Sequence, residues 1–420
     1  MEAQTIIILG GAGDLAKRLL IPGLGEYSVL CDRQVRIIGV GRDEVDYPAF
    51  VAESLREAGV EDRLSTAADF VTADVTDVDD LRRVIDAADD GAVLYFALPP
   101  AVSVQAIELL DDVDLPADLT FAMEKPYGET AGEADDLDTR LLTVTDEGHI
   151  FRVDHFLCEA AVTTLTGLVR GNAPLRASWS SECVEAIDIV FDEELALEGR
   201  AEFYDSTGAL RDMIQSHLLQ VLAHILCVDG RAEPAGVLAA TTVVEGSARR
   251  ARYTAGGGLP SYVDEDGVDA SRGTETLAQL DLEVDLPRWR GTRMRLRSGK
   301  AIGSPEQAVT VHYRAAEDLA PARLVLPFAD EMRLELNVPD PGDRRDKERI
   351  TLHSGTVPSR LSPYGRVARA LLTDDHSVEV PAGTPQRAWE ILRPVLDAFE
   401  TNEIPLEEYP AGSSGPEGWR

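Results

Sequence analysis

Residues 5–14 read TIIILGGAGD, an apolar run followed by a glycine-rich segment. The uninterrupted apolar and β-branched run from Thr5 to Leu9 is typical of a strand buried on both faces of a parallel sheet. The glycines that follow predict a turn, and the amphipathic stretch from Leu15 predicts a helix. Backbone N–H groups at such a helix start can hold a pyrophosphate, but many α/β proteins turn there for packing reasons alone.

Four more strands are predicted in the same region, with helical patterns between them. They cover residues 35–40, 69–74, 92–97 and 119–123. This alternation predicts a doubly wound, Rossmann-like α/β dinucleotide-binding domain over residues 1–150. Arg42 stands after the second strand, where an Asp or Glu would accept the ribose 2′-OH of NAD. An arginine suits the 2′-phosphate of NADP, although it can also be an ordinary surface residue. We therefore expect NADP as the cofactor and leave NAD open.

The rest of the chain, residues 151–420, has a different pattern. Alternating strands separated by turns are predicted over residues 186–191, 279–286, 292–297, 309–313, 323–328 and 332–338. One long helix is predicted over residues 210–227, where apolar residues recur at helical spacing. This pattern predicts an α+β domain with a large, mainly antiparallel sheet that is covered on one face.

The composition excludes several classes of protein. Among 420 residues, 75 are acidic and 40 are Lys or Arg, which gives a net charge of −35. Nucleic acids and anionic membranes would repel such a chain. The four cysteines form no C-x-x-C pair and no apolar run is long enough to span a bilayer, so we expect a cytoplasmic protein without a structural zinc site. The only lysines are Lys17, Lys125, Lys300 and Lys347.

Four motifs together identify a family resemblance. They are GGAGDLAKR at residues 10–18, EKPYG at 124–128, FRVDHFL at 151–157 and GALRDMIQSHLLQ at 208–220. In this order and spacing they resemble the glucose-6-phosphate dehydrogenase family, and weaker similarities extend the resemblance over essentially the whole chain. The resemblance implies oxidation of a glucose-type sugar at C1 to the 1,5-lactone, with hydride transfer to NADP.

The resemblance also implies which residues are catalytic. His217 would be the base that takes the C1 hydroxyl proton, a task suited to a side chain with an ordinary pKa of about 6.5. Asp154 would orient this base and stabilise its imidazolium form. Lys125 would hydrogen-bond the sugar near the reacting carbon, and Pro126 beside it is a candidate cis-proline. Taken singly, each could instead have a structural role, such as a buried helix histidine or a cap aspartate.

Binding residues follow from the same resemblance. The sugar would contact His155, Glu159, Glu198, Asp212 and Lys300. The cofactor would contact Gly10, Gly13, Asp14, Leu15, Lys17, Arg18, Arg42, Pro99 and Lys125. The sequence gives no reason to expect a metal ligand. By the same resemblance we expect a homodimer or homotetramer.

The sequence departs from the family at the residues that grip the sugar's 6-phosphate. The family has Tyr and Lys where this chain has Phe156 and Glu159, while His155 is kept. Two unit charges about 4 Å apart interact by about 4 kcal/mol at an effective dielectric constant of about 20, so replacing a cation by an anion opposes phosphate binding strongly. A carboxylate suits hydroxyls or an amine better. An arginine from elsewhere in the chain could restore the lost charge.

Four hypotheses follow. The protein is a glucose-6-phosphate dehydrogenase with a rebuilt phosphate site, or a member of the family acting on a hexose without the phosphate. A third reading is an enzyme of the glucose–fructose oxidoreductase type, which shares the Glu-Lys-Pro motif; the motifs around Asp154 and His217 argue against it. The last is a catalytically weak or inactive homologue that binds NADP and regulates a partner, which the retention of Lys125, Asp154 and His217 disfavours.

Overall fold

A computed structural model describes residues 4–197, 199, 201–315, 320–329, 331–339, 347–354 and 360–419. Contacts divide the chain into two compact units. The first comprises Met1–Cys158 and Pro358–Gln386, and the second comprises Glu159–Val357 and Arg387–Arg420. The domain boundary at residue 150 stays a prediction. The first compact unit extends to Cys158 and also includes Pro358–Gln386, a segment from late in the chain.

The described residues form helices and strands that we number in chain order. The α-helices are α1 (Ile21–Cys31), α2 (Tyr47–Ala58), α3 (Val78–Ile85), α4 (Pro100–Leu110), α5 (Ala131–Val144), α6 (Ala160–Gly171), α7 (Ala173–Ala177), α8 (Ala201–Ala209), α9 (Leu219–Leu226), α10 (Pro234–Ala239), α11 (Pro363–Leu372) and α12 (Thr384–Glu400). Two π-helical segments cover Ala16–Leu20 and Leu210–Leu218. Short 3₁₀ turns cover Ser65–Ala67, Glu147–His149, His155–Cys158, Tyr262–Asp264, Ala270–Arg272 and His376–Val378.

The strands are distributed over two sheets. They are β1 (Gln4–Leu9), β2 (Val35–Gly41), β3 (Ala68–Thr72), β4 (Val93–Phe96), β5 (Thr120–Glu124), β6 (Ile150–Val153), β7 (Val184–Asp192), β8 (Thr241–Val243), β9 (Arg249–Thr254), β10 (Leu277–Val284), β11 (Arg293–Gly299), β12 (Gln307–Tyr313), β13 (Arg323–Pro327), β14 (Arg333–Pro339), β15 (Lys347–His353) and β16 (Leu406–Pro410).

The first unit is a parallel sheet with helices around it. Within the described residues its strand order is β3-β2-β1-β4-β5-β6, and each pairing is parallel. The order reverses between β1 and β4, and ligands of such sheets bind at the carboxyl ends of the strands beside that point. The predicted Rossmann-like fold is confirmed. The sequence prediction did not include β6, which has only four residues.

A late helix completes the core of this unit. Apolar side chains of β1 and α1 pack in one buried cluster with Val367 and Leu371 of α11. Helix α11 therefore belongs to the nucleotide-binding fold, although more than 200 residues separate it from β6. Its N-terminus is capped by Ser362, whose side chain accepts a hydrogen bond from the N–H of Gly365.

The second unit is built on a larger sheet. Its order in the described residues is β15-β14-β13-β12-β7-β11-β10-β9-β16, with β8 paired to β10. Most neighbours are antiparallel, whereas β7 with β11 and β9 with β16 run parallel. The predicted mainly antiparallel sheet is confirmed. The helix predicted over residues 210–227 is present as the π-helical segment Leu210–Leu218 followed by α9.

Among the helices in the described part of the chain, none is both long and apolar enough to cross a lipid bilayer.

Candidate functional site

The glycine loop after β1 is shaped for close backbone contact. Gly10 has a φ of +82°, and a β-carbon there would overlap the carbonyl oxygen of Ala97. The N–H groups of Gly10 and Gly11 both donate to the carbonyl of Val40, at 3.0 Å each. Residues 12–14 are exposed, at the beginning of the helical stretch. The first turn of a helix has N–H groups without partners inside the helix, so this loop can hold a phosphate.

Residues suited to NADP surround this loop. Arg42 is exposed directly after β2, and Pro99 directly precedes α4 in the connection that follows β4. Both follow strands that neighbour β1 in the sheet. The donor set therefore fits a dinucleotide with a 2′-phosphate. The basic residues of the loop are already paired: Lys17 lies 3.6 Å from Glu53 and 3.3 Å from Glu57, and Arg18 lies 3.3 Å from Asp14.

The Glu-Lys-Pro motif stands at the end of β5. Glu124 is the last residue of the strand, and the peptide bond between Lys125 and Pro126 is cis. Lys125 is half-buried. Because β5 and β6 are parallel neighbours, Lys125 follows one strand at the same edge where Asp154 follows the next. The structure thus brings two predicted catalytic residues to one edge of the first unit.

Glu124 is the centre of a cluster that the sequence did not reveal. The hydroxyls of Tyr95, on β4, and Tyr364, on α11, both donate to its Oε1, the latter at 3.1 Å. Burial raises the pKa of Glu124 to about 7; the two tyrosine hydroxyls oppose this rise, the charge of Asp154 adds to it and that of Lys125 lowers it. This carboxyl group therefore changes its charge near neutral pH.

Asp154 and His155 begin the turn after β6. Asp154 is buried, and its Oδ1 accepts a hydrogen bond from the N–H of Phe156 at 2.9 Å, which fixes the turn. The half-buried His155 ring contacts two aromatic rings. Phe156 meets it edge-on with centroids 5.0 Å apart, and Tyr364 stacks on it at 5.3 Å with an angle of 21°.

Glu159 is the acidic residue at the position where the family's phosphate-binding motif has a lysine. It is half-buried and directly precedes α6, at the start of the second unit. Within the first unit, Arg366 of α11 donates to the carbonyl oxygen of Cys158, at the end of the motif's 3₁₀ turn. A guanidinium group thus contacts the same short turn that begins with His155, and the sequence did not identify this residue.

His217 and Asp212 lie in the second unit on the π-helical segment Leu210–Leu218. His217 is buried and Asp212 is half-buried. π-Helical turns are rare in proteins, and many of them lie at functional sites. The first residue of the segment, Leu210, is held by Glu275. The N–H of Leu210 donates to Glu275 Oε1 at 2.9 Å. Burial raises the pKa of Glu275, and this backbone hydrogen bond opposes the rise.

A glycine makes this contact possible. Gly208 has a φ of +70°, and a β-carbon there would lie 2.5 Å from Glu275 Oε1. The glycine at the start of the GALRDMIQSH motif thus lets a buried carboxylate reach the beginning of the segment that carries His217. No sequence pattern assigns Glu275 a role.

Lys300 lies after β11, in the same unit. Its Nζ donates to Glu193 at 2.6 Å and lies 5.2 Å from the ring centroid of Tyr204. The hydroxyl of Tyr409 donates to its carbonyl oxygen at 2.7 Å. Lys300 is therefore a half-buried lysine held by several contacts. Glu198, also predicted to bind the sugar, lies outside the described residues.

Two family models match almost the whole chain. One, described as the glucose-6-phosphate dehydrogenase NAD binding domain, matches residues 7–164, and the other, the C-terminal domain of the same family, matches residues 168–420. Among curated relatives, the glucose-6-phosphate 1-dehydrogenase of Gluconobacter oxydans is 31% identical over 99% of this chain and 95% of its own length. Glucose-6-phosphate 1-dehydrogenase 1 of Mycobacterium tuberculosis is 30% identical, over 99% and 93%.

Solved structures agree with this match. The glucose-6-phosphate 1-dehydrogenase of Mycobacterium avium is similar with a TM-score of 0.82 and 28% identity, over 99% of this chain and 96% of that one. A glucose-6-phosphate dehydrogenase bound to glucose-6-phosphate has the same fold, with a TM-score of 0.89, 23% identity and the same coverage. An aldose–aldose oxidoreductase from Caulobacter crescentus shares the fold less closely, with a TM-score of 0.55 and 11% identity over 96% and 98%. The chain belongs to the glucose-6-phosphate dehydrogenase family and is an oxidoreductase that acts on a CH–OH group with NADP as its cofactor.

Proposed function

We propose that the sugar oxidised by this enzyme is glucose 6-phosphate. The reaction moves hydride from C1 of a glucose-type sugar to NADP and leaves the 1,5-lactone. Relatives matched over 99% of the chain are named glucose-6-phosphate 1-dehydrogenases, which supports this substrate. The observation that carries the proposal is the contact of Arg366 with the turn that begins with His155, because it offers a cation where the motif lacks one.

The proton and hydride steps need three residues. His217, a buried histidine, is the base for the C1 hydroxyl proton. Asp154 keeps the role predicted from the sequence, stabilising the imidazolium form, and its buried carboxylate suits that role. Lys125 donates a hydrogen bond to the sugar near C1.

NADP accepts the hydride when bound. The N–H groups of Asp14 and Leu15 would hold its pyrophosphate at the start of the helix, and Arg42 would pair with its 2′-phosphate. Lys17 and Arg18 have acidic partners in this structure, so we assign the 2′-phosphate to Arg42 first. Pro99, in the connection that follows β4, would contact the cofactor beside the loop.

The phosphate group needs a cation that the motif lacks. Phe156 has no hydroxyl and Glu159 is acidic, so His155 alone of the family's three phosphate ligands is kept. Arg366 donates to Cys158, the residue directly before Glu159. A guanidinium binds phosphate with two parallel hydrogen bonds, which a lysine cannot do. We therefore assign the missing charge to Arg366.

The second candidate is a hexose without the phosphate. Glu159 favours it, because a carboxylate accepts hydrogen bonds from sugar hydroxyls and repels a phosphate. Glu198, Asp212 and Lys300 would bind the sugar hydroxyls in either case.

Initial rates of NADP reduction separate the two candidates. We expect kcat/KM for glucose 6-phosphate to exceed that for glucose by at least about 10²-fold, the contribution expected of a charge-assisted phosphate contact worth roughly 3 kcal/mol. Arg366→Met should raise the KM for glucose 6-phosphate by about tenfold or more and leave the KM for glucose nearly unchanged. Arg369→Met, on the exposed side of the same helix, is the matched control.

The outcomes are distinct. Equal or better turnover of glucose would establish the second candidate, and Glu159→Lys should then shift the preference toward the phosphate ester. If Arg366→Met changes nothing while glucose 6-phosphate remains the preferred sugar, another cation binds the phosphate. The assembly into a homodimer or homotetramer remains a prediction, which sedimentation equilibrium would check.

A further inference from the structure

The ring of His155 stacks on Tyr364, whose hydroxyl donates a hydrogen bond to Glu124. These residues come from separate segments of the first unit. We propose that Tyr364, anchored by Glu124, is a positioning residue that holds the His155 ring ready for the C6 phosphate of the substrate. This inference rests on the proposed function, since it takes His155 as a phosphate ligand. Neither tyrosine nor glutamate needs to touch the sugar for this role.

The anchor is the first step of the argument. Tyr95 and Tyr364 donate to the same carboxylate oxygen, Glu124 Oε1, and both rings are buried. Tyr95 comes from the centre of the parallel sheet, where β4 has neighbours on both sides. The hydroxyl of Tyr364 is therefore linked through Glu124 to a central strand of the sheet, and the ring of Tyr364 cannot turn away without breaking a hydrogen bond to a carboxylate.

The stack is the second step. Tyr364 faces the His155 ring nearly in parallel, with centroids 5.3 Å apart. Phe156 meets the same imidazole edge-on at 5.0 Å. The two rings restrict rotation of a side chain that is only half-buried. Such restriction reduces the entropy lost when a ligand binds, which strengthens binding without any new contact.

Charge gives the arrangement a second effect. An aromatic face attracts a cation, and Tyr364 presents its face to the imidazole while its hydroxyl donates to a carboxylate. The titratable and charged groups coupled to Glu124 include Tyr95, Tyr364, Tyr127, Asp154 and Lys125. Ionised Glu124 places a negative charge behind the Tyr364 ring on which His155 stacks.

The test is whether a variant changes the KM for glucose 6-phosphate without changing kcat. Tyr364→Phe keeps the stacked ring and removes its anchor, and we expect the KM for glucose 6-phosphate to rise about three- to tenfold, the range for one lost hydrogen bond. We expect kcat and the KM for NADP to stay within about twofold. The matched control is Tyr27→Phe, which removes an equally buried hydroxyl of the same unit that donates to Gln4 at 2.9 Å. A purely structural role would affect both variants alike.

Glu124→Gln is the second variant, in case Tyr364→Phe folds poorly. The amide oxygen can still accept both tyrosine hydroxyls, so at pH 6 its KM should stay within about threefold of the wild-type value. Between pH 6 and pH 8 the ratio of the two KM values should change, because only the wild-type group ionises. The sugar phosphate itself titrates near pH 6, but it does so equally for both proteins.

An unchanged KM for glucose 6-phosphate in Tyr364→Phe, or an equal rise in Tyr27→Phe, would overturn the positioning role while leaving the proposed function intact. A wild-type enzyme that reduces no NADP with glucose 6-phosphate would instead overturn the proposed function, and the positioning role with it.

Discussion

Each unit contains a glutamate close to a segment that carries a predicted catalytic residue, but the two carboxylates have different hydrogen-bond partners. In the first unit, Glu124 accepts hydrogen bonds from two tyrosine side chains, Tyr95 and Tyr364. In the second, Glu275 accepts one from the backbone N–H of Leu210. Burial raises the pKa of both carboxyl groups.

The difference lies in what each carboxylate controls. Glu124 is linked through Tyr364 to a single side chain, the half-buried ring of His155. Glu275 is linked to the start of a π-helical segment, and thus to the backbone that carries His217. Burial raises the pKa of Glu124 to about 7, so its charge changes near neutral pH, whereas the backbone partner of Glu275 fixes the path of the chain. We therefore expect changes at Glu124 to alter substrate affinity and its pH dependence, and changes near Glu275 to alter the fold of the catalytic segment.

The largest expected effect is on turnover in the second unit. His217→Asn should lower kcat by at least about 10²-fold, the lower end for the loss of a general base. The comparison variant is His224→Asn on α9, a half-buried histidine whose Nδ1 lies 3.0 Å from the carbonyl of Gln220. Its kcat should stay near the wild-type value. Steady-state rates at saturating glucose 6-phosphate and NADP would decide, and near-normal turnover of His217→Asn would remove the assigned base.

The next effect concerns the backbone at Gly208. Gly208→Ala should destabilise the protein by roughly 2 kcal/mol or more, since the new methyl group would lie close to the Glu275 carboxylate at a positive φ. Activity should fall with stability, because the segment with His217 starts at this contact. Urea unfolding followed by circular dichroism measures the change in free energy of unfolding.

A second glycine with positive φ provides a comparison in which the added methyl group has open space around it. Gly230 has a φ of +73°, and a β-carbon there would meet nothing within 4 Å. Gly230→Ala should therefore cost only about 1 kcal/mol, the ordinary price of a side chain in the left-handed region. If the two variants lose equal stability, the approach of Glu275 does not require a glycine.

A pH dependence of stability is expected from Glu124. Its pKa rises from 4.5 to about 7 in the folded protein, so between these values the folded state binds more protons than the unfolded state. This group therefore contributes less to stability as pH rises from about 4.5 to 7. Glu124→Gln lacks this titration. The difference in Tm, variant minus wild type, should become more positive from pH 5 to pH 8; a constant difference would contradict the raised pKa.

Local patterns in the sequence predicted much of the fold because the strands of the first unit are short apolar runs between clear turns. The five strands predicted before residue 150 all correspond to observed strands. The π-helical form of residues 210–218 was not predicted, since its apolar spacing is similar to that of an α-helix over so few turns. Strand β9, RRARYT, was missed because its arginines hide the alternation.

The site could be predicted only where its residues lie within a motif. Lys125, Asp154 and His217 came from motifs, whereas Tyr364 and Arg366 lie more than 200 residues from the groups they contact. Nothing in the local pattern of α11 distinguishes a helix that supports a site from one that only packs. Likewise, no spacing rule connects Gly208 with Glu275.

The position of α11 has a consequence for how this protein is made. The nucleotide-binding unit is discontinuous: its central sheet is complete once residue 153 has been synthesised, but part of its core arrives only with residues 363–372. Until then the apolar surface of α1 that α11 covers stays exposed to water. The ribosome must therefore synthesise the entire β-rich segment before the core of the first unit can be completed. A fragment ending at Cys158 would keep the glycine loop, but it would lack part of the core and the Tyr364 ring that stacks on His155.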